Sequence, residues 1–227
     1  MFLDIDGTLL DIASRPEEVV VPAALPPLLA RTARWLGGAL ALVSGRPLSQ
    51  IDALMAPLVL PCAGEHGAVL RLPGGRIETA HAADAIPAAW RERLVAETSG
   101  WKGVLVESKP FAVAVHYRLA PERAEQVHDL VRQVVSENPG DFEILPARCA
   151  YEIRNRRFSK AAPVVRMMSL APFEGRVPVF IGDDVTDRDG FRAALTMGGL
   201  ALEVHESFDG KPSQVLAWLD EHVPASE

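Results

Sequence analysis

Cysteine is scarce in this sequence. Only Cys62 and Cys149 occur in 227 residues, far apart and with no C-x-x-C spacing. That argues against a disulfide framework or a thiolate zinc site, and a reducing cytoplasm is the expected setting. Basic charge is also in deficit, with 23 Lys and Arg against 30 Asp and Glu and a net charge of −7. A polyanion such as DNA would be repelled, so nucleic acid is not an expected partner. No apolar run reaches the roughly 18 residues of a membrane span, so no membrane partner is expected. No signal peptide, internal repeat or low-complexity segment is visible either. Met1 opens almost directly onto an apolar strand and an acidic motif. So abrupt a start leads to the expectation that the natural chain begins upstream.

What remains is a globular composition, 48% hydrophobic and 23% charged. It is enough for one large domain or a core with a smaller inserted one. Apolar runs of strand length alternate with helical patterns. Residues 1–5, 39–43 and 58–63 read as strands. Residues 23–36 read as a helix with Leu25, Leu28, Leu29, Thr32 and Leu36 on one face, stopped by Gly37 and Gly38. Pro47 suits the first turn of another helix, and 71–77 reads as a hairpin around Gly74-Gly75. After residue 158 the style repeats, with helices at 159–169, after Thr186 and at 212–222, and strands at 177–181 and 200–204. Strands buried on both faces and alternating with helices predict a parallel, Rossmann-like α/β sheet.

The middle differs. Helices are predicted at 87–98 and 121–136, the second amphipathic through Ala124, Val127, Val131 and Val134. Strands are predicted at 103–107, 111–118, 142–145 and 149–154. The order α-β-β-α-β-β suggests a small open sheet carrying two helices. The expected organisation is a core of 1–79 and 158–227, interrupted by an α/β cap of 80–157. The cap segment has 11 basic and 11 acidic residues, so the whole negative excess falls in the core.

Chemistry-bearing residues sit where the core strands end. Asp4-Ile5-Asp6-Gly7-Thr8 follows the first strand, and alternation puts Asp4 and Asp6 on one side. Such a pair alone is common on acidic surfaces. However, Ser44-Gly45-Arg46 ends the second core strand ahead of a helix, where a hydroxyl and backbone N–H groups make a seat for phosphate. Gly182-Asp183-Asp184-Val185-Thr186-Asp187 ends the strand at 177–181, and Lys160 opens the helix before it. The carboxyl ends of parallel strands share one edge, so these groups are expected to converge. Hard oxygen ligands without a His/Cys cluster favour Mg²⁺ over zinc.

The order D-x-D-G-T, S-G-R, Lys, G-D-D-x-T-D resembles the haloacid dehalogenase phosphatase superfamily over nearly the whole chain. In detail it is similar to the trehalose-6-phosphate phosphatases, through Leu3–Leu9, Gly64-Glu65-His66-Gly67-Ala68, His116-Tyr117-Arg118 and Gly182 through Phe191. It departs from that pattern at Asn155, usually proline, and at Ala161, usually glycine. The resemblance implies a Mg²⁺-dependent phosphatase acting on a small sugar phosphate. Asp4 would be the nucleophile and Asp6 the proton shuttle. Thr8, Ser44, Gly45 and Lys160 would hold the phosphoryl oxygens, and Asp4, Asp6, Asp183 and Asp187 would hold the metal, Asp187 acting through water. His66 and, in the cap, Arg148, Glu152 and Arg154 would read the sugar. Period-two spacing puts the last three on one face of their strand, with Cys149, Tyr151 and Ile153 on the other. Lys109 reads as a surface lysine, and His116 as a residue closing a strand end.

Within the same chemistry, a sucrose-phosphate or mannosyl-phosphoglycerate phosphatase is the alternative. From another class, the chain could be a non-catalytic sugar-phosphate sensor or a regulatory partner of a synthase, here a trehalose-phosphate synthase. The presence of both Asp4 and Asp6 speaks against a dead relative. A phosphomutase, which must keep the phosphoryl group from water, fits less well.

Overall fold

The computed structural model describes residues 1–13, 18–147 and 149–224. These divide into two compact units, Met1–Thr79 with Ser159 onward, and Ala80–Phe158.

In the first unit the elements are β1 (Phe2–Leu3), α1 (Leu25–Trp35), β2 (Ala41–Val43), α2 (Leu48–Met55), β3 (Cys62–Gly64), β4 (Val69–Arg71) and β5 (Ile77–Thr79). The chain leaves for the second unit through α3 (Ala88–Thr98), β6 (Leu105–Ser108), β7 (Ala112–His116), α4 (Ala124–Val135), β8 (Phe142–Ala147) and β9 (Ala150–Asn155). It returns with α5 (Ala161–Met168), β10 (Val179–Gly182), α6 (Arg188–Thr196), β11 (Leu200–Glu203), α7 (Val204–Ser207) and α8 (Pro212–His222).

The core sheet, among the described residues, has seven strands in the order β11-β10-β1-β2-β3-β4-β5. The five strands from β11 to β3 run parallel, as predicted. The sheet as a whole is mixed, because β3-β4 and β4-β5 are antiparallel. The reason is local: short connections join these strands, too short for the crossover that a parallel neighbour needs.

Alternation along the parallel strands supplies both faces with apolar side chains. Leu3, Leu42 and Ile181 point to one side, where Leu25, Leu28 and Leu29 of α1, Ile51 of α2 and Val215 and Leu219 of α8 cover them. Phe2, Ala41, Val43 and Phe180 point to the other, under Val164 and Met167 of α5 and Ala193 and Ala194 of α6. Burying leucines such as Leu28 and Leu29 stabilises the fold by about 1.5–3 kcal/mol each. Thr32 can join the buried face of α1 because its hydroxyl donates to the Leu28 carbonyl, 2.9 Å away.

The second unit is a four-stranded antiparallel sheet, β6-β7-β9-β8, with α3 and α4 on one face. Val113, Val115 and Ile153 of the strands meet Trp90 and Leu94 of α3 and Val127, Val131 and Val134 of α4. The architecture is thus an α/β core with an inserted α/β cap. Among the described residues, no helix is long and apolar enough to cross a membrane.

Candidate active site

The motifs converge in the core because β10, β1 and β2 are adjacent and parallel. Asp4 follows β1, and its N–H donates to the Ile181 carbonyl on β10 at 3.0 Å. Ser44 follows β2 and Asp183 follows β10. Asp4, Ser44, Lys160 and Asp187 are all at least 96% buried.

Lys160 stands at the start of α5 and ties two of the three strand ends together. Its ammonium donates to Asp4 Oδ1 and to Asp187 Oδ1, 2.7 Å each. The other oxygen of Asp187 accepts the backbone N–H of Asp183 at 3.1 Å and of Asp184 at 3.0 Å, which fixes the loop after β10. Asp184 itself is exposed and caps the short turn Val185–Asp187, accepting the Val185 N–H. Thr8 reaches both acidic arms, with its hydroxyl 3.4 Å from Asp4 Oδ2 and from Asp183 Oδ1. Gly7 makes this approach possible. Its φ is +83°, and a Cβ there would lie 2.0 Å from Asp183 Oδ2.

The loop after β2 is equally tight. Ser44 Oγ accepts the Arg46 N–H at 3.1 Å, which leaves the hydroxyl hydrogen to donate elsewhere. His66 is buried in a left-handed conformation, φ 57°, with its N–H on the Ser44 carbonyl at 3.1 Å. Its ring lies over Gly45, where an added Cβ would come within 2.7 Å of Nε2. The structure therefore sets His66 beside the Ser44-Gly45 loop. Asp6 does not join the Lys160 cluster. It is held by Arg46 through two parallel hydrogen bonds, each 2.7 Å.

Charge is unbalanced here. One oxygen from each of Asp4, Asp183 and Asp187 lies within 4.8 Å of the others, against a single ammonium. Burial, then the Asp187 and Asp183 carboxylates, push Asp4 well above the usual carboxylate range, with Lys160 opposing. Burial and Asp187 likewise raise Asp183 to about 6. Lys160 is held above its ordinary value. Burial acts to lower it, but Asp187 and Asp4 outweigh that effect. An all-oxygen set carrying excess negative charge fits a divalent cation.

In the cap, Glu152 and Arg154 share one face of β9, and the register aligns them with Ala114 and Ala112 of β7. Both are buried. Glu152 accepts from Lys109 at 3.1 Å, and Arg154 Nε donates to Glu143 at 3.0 Å. Arg148 lies outside the described residues. Lys109 is a correction to the sequence reading, since its side chain is only 10% exposed and joins Glu152 rather than solvent. His116 pairs with Glu107 at 3.0 Å on the neighbouring strand. The signal for Lys109 was its spacing two residues after Glu107, on the same face. The signal for Arg46 was its place in the S-G-R turn, which gave no hint of Asp6.

The fold is similar to that of a haloacid dehalogenase-like hydrolase from Bacteroides thetaiotaomicron, with a TM-score of 0.65 and 13% identity over 97% of both chains. Core, inserted cap and the carboxylates gathered where parallel strands end define an α/β fold with an acidic site suited to a cation. The trehalose-phosphatase family model matches residues 2–217. The chain is 44% identical to a probable trehalose-phosphate phosphatase of Sinorhizobium fredii, over 90% of this chain and 77% of that one. It is 37% identical to trehalose-6-phosphate phosphatase of Escherichia coli, over 89% and 76%. The chain belongs to the trehalose-phosphatase family, and it is a phosphatase.

Proposed function

We propose that the protein hydrolyses trehalose 6-phosphate to trehalose and phosphate through an aspartyl-phosphate on Asp4. The observation that carries this reading is the Lys160 ammonium shared by Asp4, just after β1, and Asp187, in the turn that follows β10. Its substrate is that of the relatives it resembles.

In this reading the Asp4 carboxylate attacks phosphorus while the bond to the sugar oxygen breaks. Asp6 gives that oxygen its proton, then takes a proton from the water that splits the intermediate. Inorganic phosphate leaves and the Asp4 carboxylate returns. The Ser44 hydroxyl, the Gly45 N–H, Thr8 and Lys160 hold the non-bridging oxygens, with His66 bordering them. Mg²⁺, held by Asp4, the Asp6 carbonyl and Asp183, with Asp187 acting through water, would neutralise charge on the phosphoryl oxygens. Little else is asked of the protein, because phosphoryl transfer depends mostly on position and charge.

The metal assignment is tested by stability as well as turnover. A raised carboxylate favours the protonated folded form. Without metal, stability should therefore fall as pH rises from Asp183's ordinary 3.8 to about 6, and stay lower above. Mg²⁺ at a hundred times its Kd should recover about 2.7 kcal/mol at neutral pH. Asp183→Asn should melt higher than the wild type in EDTA and gain little from Mg²⁺. Wild-type turnover in EDTA, or an unchanged Mg²⁺ response in Asp183→Asn, would count against it.

Sugar recognition falls to the cap face that carries Glu152, Arg154 and Lys109. Glu152→Ala should cost roughly ten- to a hundredfold in turnover of trehalose 6-phosphate, the effect of losing a buried sugar hydrogen bond. Hydrolysis of p-nitrophenyl phosphate should change far less, since it shares only the phosphate and metal. Losses at Arg154 and Glu152 should not add, because both meet one ligand. Equal damage to both substrates would assign this strand to folding instead.

A further inference from the structure

The Asp6–Arg46 pair is not accounted for by the chemistry above. Two N–H groups of Arg46 meet the two oxygens of Asp6, Nε to Oδ2 and Nη2 to Oδ1, at 2.7 Å each. The Arg46 side chain is 11% exposed and that of Asp6 33%. Arg46 is itself anchored on three sides. Its N–H donates to Ser44 Oγ, its carbonyl accepts the Glu65 N–H at 3.1 Å, and its Nη1 donates to Gln50 of α2 at 3.3 Å. A carboxylate one-third exposed on a short side chain would otherwise sample several rotamers. The planar fork fixes its position and its plane, which a lysine cannot do.

We infer that Arg46 is the positioning residue of the proton shuttle, holding the Asp6 carboxyl in place for the leaving oxygen. The inference rests on the reading of Asp6 given above. A general acid must come within about 2.6–3.2 Å of the atom it protonates. A misplacement of about 1 Å can cost on the order of a hundredfold. When Asp6 donates, one of its oxygens exchanges its Arg46 contact for the leaving sugar oxygen, and the other stays in the fork. The proton moves from the Asp6 carboxyl to the sugar oxygen as the P–O bond breaks, leaving Asp6 a carboxylate. Arg46 acts through Asp6 and need touch neither phosphorus nor sugar.

The test is the rate of P–O cleavage in a single turnover, which isolates the first step. Two substrates are compared in the Mg²⁺-loaded protein. Trehalose 6-phosphate has a leaving group that needs a proton, whereas the dinitrophenolate of 2,4-dinitrophenyl phosphate leaves without one. Arg46→Ala should slow the sugar phosphate by about a hundredfold and the dinitrophenyl burst by much less, the pattern of Asp6→Asn. Arg46→Lys should keep most of the defect, and added guanidinium should restore part of the rate to Arg46→Ala. In an Asp6→Asn background, Arg46→Ala should add little. If Asp6→Asn is selective but Arg46→Ala slows both substrates alike, or neither, the inference is overturned, and Arg46 binds phosphate, supports the fold or is idle. If Asp6→Asn itself shows no selectivity, the shuttle reading fails first and the inference falls with it.

Discussion

Asp4→Asn should remove hydrolysis by ~10³-fold or more while the protein stays folded. The amide oxygen is a feeble nucleophile, and Thr8 and Asp187 are not placed to substitute. Asp187 gives both its oxygens to Lys160 and to the loop backbone. Folding should survive because asparagine is nearly isosteric and its oxygen can still accept from Lys160. One negative charge also leaves a crowded site in which Asp183 and Asp187 both work against ionisation of Asp4. Two measurements separate chemistry from collapse. The thermal midpoint should stay within a few degrees of the wild type. Intact-mass analysis after rapid quench should find a phosphorylated chain in the wild type and in Asp6→Asn, and none in Asp4→Asn. Turnover near the wild-type level in Asp4→Asn would remove it as the nucleophile.

Much of this site could be read from residues alone, and the reason is topological. A parallel sheet forces every strand's carboxyl end to one edge, so apolar runs capped by Asp4, Ser44 and Asp183 had to bring those groups together. The same logic placed Glu152 and Arg154 on one face of β9, since period two leaves no other choice. What could not be read depends on side-chain direction across long sequence gaps. Asp6 and Arg46 are 40 residues apart and meet only because the turns after β1 and β2 face each other. Lys109 looked solvated because it precedes a proline. The β6–β7 turn instead folds it back, with its N–H on the Ala112 carbonyl at 2.9 Å, so that it lies beside Glu152. The antiparallel edge of the core sheet was half legible. The hairpin glycines announced β4 and β5, but nothing in composition said that the hairpin would extend the same sheet.

Lys160→Met should lose both stability and turnover, and the double loss is the signature of its position. Lys160 is 97% buried at the N-terminal end of α5, where a helix dipole repels a cation. Only its two carboxylate partners explain its presence there. Removing the ammonium leaves Asp4 and Asp187 buried without their counter-ion, which typically costs about 3–5 kcal/mol. For a chain of this size that is a fall of roughly 10 °C in the thermal midpoint. Part of the fall should return when Mg²⁺ is added, because a second cation then shares the charge. Turnover should drop by about 10²–10³-fold even at saturating Mg²⁺, as for loss of one donor that stabilises transition-state charge. Adding Asp187→Asn to Lys160→Met should recover stability by removing one unpaired charge, while turnover stays low. The lysine's own titration should not intrude. Its raised pKa keeps its stabilising contribution in full below about pH 10 and loses it only as pH rises further. Normal turnover in Lys160→Met would exclude the ammonium from the chemistry. A stable protein with collapsed turnover would instead show that solvent or a metal ion neutralises the two carboxylates, leaving Lys160 a purely catalytic task.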